Sequence, residues 1–243
     1  MKGWDGRLDG MTDRQNGLAD WMESGRQHIW QHGWKLLKVV LPDLISSHQS
    51  AFIKKIQNLD GILVANELID SGERSGKPGL LVKIDFEKAF DHVNWDCLDE
   101  IFALMGFGVR WRKWIRCCVE FVRFSVLISG SSSGYFKSKK GIRQGDPLSP
   151  FLFLLVGEAL SFMIQRALQL VENIEQVKNL RLILLFFEQL IGLKINFAKS
   201  TIYGVAYSGD LTQFFSLLGC YSGALPTTYL GLPLGDKSRG VAK

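Results

Sequence analysis

No C-x-x-C pair joins any of the four cysteines, Cys97, Cys117, Cys118 and Cys220. Zinc-ribbon and thioredoxin-type readings therefore fall away, and reduced thiols inside a cell are expected. No two aspartates are adjacent anywhere, and none falls between Asp146 and Asp210. No secretory signal opens the chain, since Met1 to Asp13 is charged and Gly-rich. The expected location is the nucleus or cytoplasm rather than the cell exterior. The most apolar stretch, Phe151 to Ile164, reads as too short for a bilayer and contains Glu158, so a buried helix and no membrane partner are expected. Charge of one sign is scarce as well: 29 Lys and Arg stand against 24 Asp and Glu, a net +5. That mild excess permits a phosphate-rich partner without requiring one. Hydrophobic residues make up 47% of 243, which excludes wholesale disorder and suits one domain or slightly more.

Two apparent motifs dissolve on inspection. Gly72 to Lys77, G-E-R-S-G-K, is one residue short of a P-loop, lacks Ser or Thr after the Lys, and precedes a strand instead of following one. His28 and His32 are spaced as on a zinc helix, but the intervening I-W-Q lacks the Glu that such sites use.

The elements read as follows. Leu36 to Leu41 is apolar and ends at Pro42. Ile62 to Ile69 is a helix with Asp60 as N-cap, and Ser71 to Gly79 is a turn-rich connector. Leu80 to Phe86 alternates, with Leu80, Val82, Ile84 and Phe86 toward a core and Leu81, Lys83 and Asp85 away from it. A helix follows Asn94 through Leu98, Ile101 and Leu104 to Gly106, and Val109 to Glu120 is a second. Phe121 to Ile128 is a strand, Ser129 to Gly134 a loop, and Tyr135 to Lys137 the returning strand. Pro150 suits the first turn of a long apolar helix, Val171 to Leu190 is helical with Gly192 as its stop, and Leu193 to Ile195 and Thr201 to Tyr207 are short strands. Helices interleave with strands without a βαβ series, so the fold class is α+β.

Three clusters carry chemistry. Asp85 ends a strand in L-V-K-I-D-F-E-K-A-F-D, where a carboxylate can hold a divalent metal, although the strand alone favours a solvated or capping Asp. Lys137, Lys139, Lys140 and Arg143 crowd a loop with Gly141 and Gly145 ahead of a helix start, which suits phosphate and equally an ordinary solvated loop. Arg110 to Arg116, R-W-R-K-W-I-R, interleaves cations with Trp111 and Trp114. It suits a nucleic-acid backbone, but an amphipathic helix with core tryptophans is favoured.

Five motifs occur in a fixed order: H-Q-S-A-F-I at His48 to Ile53, K-I-D-F-E-K-A-F-D-H-V-N-W at Lys83 to Trp95, G-I-R-Q-G-D-P-L-S-P at Gly141 to Pro150, G-L-K-I-N-F-A-K-S at Gly192 to Ser200, and Y-L-G-L-P-L-G at Tyr229 to Gly235. In this order they closely resemble the reverse transcriptases of plant long interspersed elements (non-LTR retrotransposons), over about Leu36 to Gly235. The resemblance implies a right-hand fingers–palm–thumb fold and RNA-templated DNA synthesis, with an RNA template, a DNA primer, deoxynucleotides and Mg²⁺ or Mn²⁺ as partners. It implies that Asp85 is the first metal-binding carboxylate, beside the Phe86 carbonyl. Phe90 would crowd the sugar 2′ position. Arg143, Gln144 and Gly145 would meet the incoming nucleotide and template, Lys199 would protonate the leaving pyrophosphate, and the Tyr229 to Gly235 hairpin, with Gly231, would grip the primer.

The chain departs from that family in one decisive place. The resemblance calls for an aromatic-Ala-Asp-Asp hairpin between the R-Q-G and G-L-K motifs, and here one predicted helix runs almost directly into the next near Leu170–Val171. An internal deletion is the simplest account. Glu158 and Glu172 are the nearest acids, both on predicted helices. Lys55 and Ile56 stand where the family carries Gly-Arg. The expected organisation is a leader over 1–33, an incomplete fingers–palm domain over 34–205, and a primer-grip region with the start of a thumb over 206–243. The expected function is a reverse transcriptase domain that has lost activity and binds metal weakly, with an active polymerase or a non-catalytic nucleic-acid binder as alternatives.

Overall fold

The structure is a computed structural model that describes residue 35 and residues 37–46, 58–168 and 174–236. The leader, the H-Q-S-A-F-I motif, Lys54 to Ile56, Glu172 and the Leu170–Val171 junction lie outside the described residues. In chain order the elements are α1 (37–44), α2 (Asn58–Ser75), β1 (Gly79–Lys83), β2 (Phe86–Glu87), α3 (Ala89–His92), α4 (Trp95–Leu104), α5 (Val109–Glu120), β3 (Arg123–Ile128), β4 (Ser131–Lys137), α6 (Ser149–Leu168), α7 (Ile174–Ile191), β5 (Lys194–Ile195), β6 (Thr201–Val205), α8 (Thr212–Leu218), β7 (Tyr221–Gly223), β8 (Thr227–Tyr229) and β9 (Leu232–Leu234). The mixture is α+β, as the sequence indicates. The chain divides into two compact units. The first comprises Met1–Ser46, Lys88–Leu160 and Gln189–Leu193; the second comprises Ser47–Glu87, Ser161–Glu188 and Lys194–Lys243.

In the first unit, Asn94 caps α4 as its sequence position suggests: its side-chain oxygen accepts from the Asp96 and Cys97 amides at 2.9 and 3.4 Å. Trp95, Leu98, Ile101 and Phe102 recur at helical spacing and are buried together. The run from Arg123 to Lys137 forms a hairpin. The six-residue loop expected at Ser129 to Gly134 is instead a two-residue turn, because Ser129 and Gly130 both take positive φ (50° and 82°) and so match the twist of the flanking strands. The apolar helix after Pro150 is also longer than expected. Ser149–Ala167 is by length and composition long enough to cross a membrane. Its Leu152, Leu154, Leu155 and Val156 are buried, and Glu158 accepts from the Ser46 hydroxyl at 3.2 Å.

In the second unit, β1, β6 and β7 form one sheet, with β1 antiparallel and β7 parallel to the central β6. The single strand expected over Leu80 to Phe86 is broken at Ile84 and Asp85. Beyond that break, Phe86 and Glu87 pair with Ile195 and Lys194 in a separate ladder. The expected division of faces is also incomplete. Leu80 and Val82 pack on a cluster around Ile202 and Leu218, while Leu81, expected to face away, packs on Ile62, Ile69, Val205 and Leu234. Both faces of β1 are apolar because α2 packs on one of them through Ile62 and Ile69. The helix α2 runs from Asn58 to Ser75, so Asp60 lies inside its first turn instead of capping it, and most of the expected connector is helix. The outer edge of β1 has no partner strand among the described residues.

Candidate functional site

The second unit holds Asp85, Phe86, Lys199, Tyr229 and Gly231. Asp85 sits where β1 ends, fixed by its backbone. Its N–H donates to Ser200 Oγ at 3.1 Å, and its carbonyl accepts from the Asn196 N–H at 2.8 Å. Ser200 is fully buried and its hydroxyl donates to the Asn196 carbonyl at 2.9 Å. Lys199 lies in the same turn, its amide bonded to Asn196, and its side chain is exposed. The G-L-K motif thus clamps the Asp85 backbone through Asn196 and Ser200, two residues given no role in the sequence reading. Their signal was a polar pair next to Lys199, and only burial shows what they hold. The Asp85 carboxylate has no hydrogen-bond or ion-pair partner among the described residues.

The hairpin expected at Tyr229 is present as β8 and β9, joined by Leu230 and Gly231 with φ of 50° and 81°. Asn66 on α2 holds it with both ends of its amide, donating to the Pro233 carbonyl at 3.2 Å and accepting from the Gly235 N–H at 2.7 Å. Lys83 lies over the Tyr229 ring, 5.5 Å from its centroid.

The first unit holds Phe90, Arg143, Gln144 and Gly145. The Phe90 carbonyl accepts from the Ile142 N–H at 2.7 Å, and its ring stacks on Phe153 at 5.0 Å. The Gly141 N–H donates to the Val93 carbonyl at 2.8 Å, and the Gly141 carbonyl accepts from the Trp95 indole N–H at 2.7 Å. The loop is therefore stitched to the Phe90–Trp95 segment before it reaches Arg143 and Gln144, which are exposed at the rim of a cleft of about 510 Å³. Val119, Phe124, Phe136 and Leu152 line its walls, and Lys140 and Arg143 stand at its edge.

Asp146, which had no assigned role, is buried at this cleft, and its carboxylate accepts from the Leu148 N–H at 2.8 Å. Burial pushes its carboxyl up, while that N–H and Arg143 pull it down less strongly. A raised folded-state value means that the folded chain holds the proton more tightly than the unfolded chain. The stability this gives is present at low pH and is lost as pH rises from the ordinary carboxylate range through the raised value. Asp146→Asn keeps an acceptor for Leu148. It is expected to match or exceed the parent in thermal melts at neutral pH, with the difference vanishing in acid.

The helix α5 follows its favoured reading as an amphipathic helix, with Trp111, Ile115 and Val119 buried. Arg112 forms a two-pronged ion pair with Asp99, and Arg116 binds Asp96 and Glu120. These cations are committed to neighbouring helix acids, which weakens the case for α5 as a nucleic-acid face. The four cysteines are free, and burial drives the Cys118 thiol up to about 12, so it stays protonated.

A family model described as reverse transcriptase (RNA-dependent DNA polymerase) matches residues 26–234. The chain belongs to that family. Among curated relatives, a 149 kDa uncharacterized protein of transposon TX1 from Xenopus laevis is 26% identical over 54% of this chain and 10% of its own length. An uncharacterized mitochondrial protein of Arabidopsis thaliana is 41% identical over 26% of this chain and 43% of its own. A retrovirus-related Pol polyprotein from the type-1 retrotransposable element R2 of Popillia japonica is 26% identical over 42% of this chain and 17% of its own. The chain thus spans less than half of each relative.

Reverse transcriptases use divalent metal ions, and the residues described here do not fit a pair of them. Two-metal phosphoryl transfer holds its ions roughly 3.5–4 Å apart with oxygens drawn from several carboxylates. Among the described residues no three His, Cys, Asp or Glu side chains converge as such a site needs.

Proposed function

We propose that this reverse transcriptase domain descends from a plant non-LTR retrotransposon and no longer polymerises DNA. The observation that carries the reading is the absence of any aspartate between Asp146 and Asp210, the interval in which the aromatic-Ala-Asp-Asp hairpin belongs. Asp85 offers two oxygens at most. Mg²⁺ gives up its waters reluctantly, so a lone carboxylate holds it weakly. An internal deletion near Leu170–Val171 accounts for the gap, and the outer edge of β1, unpaired among the described residues, is consistent with lost neighbouring strands.

The remaining positions keep the roles the resemblance implies. Asp85 is the surviving metal carboxylate and Phe90 the sugar-selecting aromatic. Gln144 and Gly145 are the nucleotide and template contacts beside Arg143, Lys199 is the pyrophosphate proton donor, and the Tyr229–Gly231 hairpin is the primer contact. RNA template, DNA primer and deoxynucleotides are the partners of that ancestral reaction. Ser200 and Asn196 are the groups that set the backbone of Asp85.

Primer extension on an RNA template with Mg²⁺ or Mn²⁺ is the test. The full chain is expected to give product no greater than a protein-free control, and Asp85→Ala is expected to change nothing. Extension by the parent chain that disappears in Asp85→Ala overturns the reading. Genomic DNA encoding an in-frame aromatic-Ala-Asp-Asp segment between the codons for Leu170 and Val171 would confine the loss to this transcript.

A further inference from the structure

The hairpin β3–β4 is a sheet of two strands alone, and each strand has one edge without a partner among the described residues. Such a ribbon is marginal in water unless something packs on it. Its outer half exposes Val126 (52%), Leu127 (73%) and Ile128 (60%). Its base carries like charge, with Arg123 directly across from Lys137. Arg123, Lys137, Lys139, Lys140 and Arg143 are five cations, and no acid lies between Glu120 and Asp146.

The two edges are not equivalent. Between the pairs Phe124↔Phe136 and Val126↔Ser133, β3 advances two residues while β4 advances three, so the extra residue lies in β4, where Gly134 takes a φ of 64°. A bulge spoils an edge for further pairing, whereas β3 stays extended over Arg123–Ile128.

We propose that the open edge of β3 takes an extended polypeptide segment, aliphatic along its length and acidic where it meets Arg123, as a third strand. Main-chain hydrogen bonds supply the attraction, Val126 to Ile128 supply apolar contact, and an acid beside Arg123 relieves its repulsion with Lys137. A second copy of this chain fits less well, because two such patches bring like charge together. A single-stranded nucleic acid also fits less well. Tyr135 and Phe136 on β4 are exposed rings, but Phe136 already stacks on Phe124, 5.8 Å away, and the outer half of β3 presents only the aliphatic Val126, Leu127 and Ile128 to an incoming chain.

The test uses the full chain with a short fluorescein-labelled peptide of alternating Val and Thr ending in Glu. Fluorescence anisotropy is expected to rise on titration, and amide exchange to slow in Arg123–Ile128 more than in Ser131–Lys137. The double variant Arg123→Glu/Lys137→Glu is expected to weaken binding by at least about tenfold and to prefer the same peptide ending in Lys. That reversal of preference separates lost recognition from a misfolded hairpin. No saturable binding overturns the proposal. So do equal affinity for the two peptides in both proteins, slowing confined to β4, displacement of the peptide by poly(U) RNA, and dimerisation of the free chain through this hairpin.

Discussion

Trp111→Ala is expected to destabilise the first unit by about 3–5 kcal/mol, the range found when a large buried aromatic is cut back and its cavity only partly collapses. The ring is 7% exposed. It stacks on Phe107 with centroids 4.2 Å apart and meets Phe102 edge-on at 5.1 Å. Phe102 is itself almost wholly buried and also meets Phe107 edge-on, so all three rings lose contacts together. Trp114, one turn away on the same helix, is the contrast. Its indole N–H is buried without a hydrogen-bond partner among the described residues. Trp114→Phe removes that orphaned donor along with part of the ring, and its cost is expected to stay within about 1 kcal/mol of zero. Urea unfolding followed by fluorescence at the remaining tryptophans measures both. Equal losses in the two variants would remove Trp111 from the centre of this core.

Gly141→Ala is expected to cost about 2–4 kcal/mol, combining a left-handed backbone with an overpacked contact. Gly141 has a φ of 90°, and a Cβ there would lie 2.6 Å from the Asp91 carbonyl oxygen, which is backbone and cannot turn aside. The displaced loop would lose the 2.7 and 2.8 Å hydrogen bonds to Phe90 and Val93 that carry Arg143 and Gln144 to the cleft. Gly145→Ala isolates the conformational part. Its φ is 81°, but nothing lies within 4 Å of its Cβ position, so about 1–2 kcal/mol is expected. Denaturant midpoints of the two variants give the difference directly. A Gly145 loss as large as that at Gly141 would mean that φ alone, and no close approach, explains the first glycine. Gly141 thus faces the protein's own backbone closely, whereas Gly145 has open space at its Cβ position.

Several features were legible without coordinates because they depend on nearest neighbours in the chain. Asn94 as a cap, α5 over Val109–Glu120 and Gly192 as a stop follow from short spacing and capping chemistry, and the hairpin at Tyr229 follows from the family resemblance. Where the strand at Leu80 would end was not legible. Alternation predicts a continuous run to Phe86, but two different partner strands, β6 and β5, capture its two parts and leave Asp85 at the break. The fate of the α5 cations was equally hidden. R-W-R-K-W-I-R gives no hint of which acids its arginines meet; Asp96 and Asp99, more than ten residues earlier, are brought against Arg116 and Arg112 only on folding.

The sequence by itself determined the family and the lack of any aspartate between Asp146 and Asp210, because both are matters of which residues occur and in what order. The tertiary structure alone decided that Ser200 and Asn196 fix Asp85, that the basic loop hangs from Phe90 to Trp95, and that β3 keeps an open edge among the described residues. Each of these is a hydrogen bond, or the lack of one, between segments distant in the chain. Their pairing is set by which apolar faces bury each other, and that choice is made only on folding.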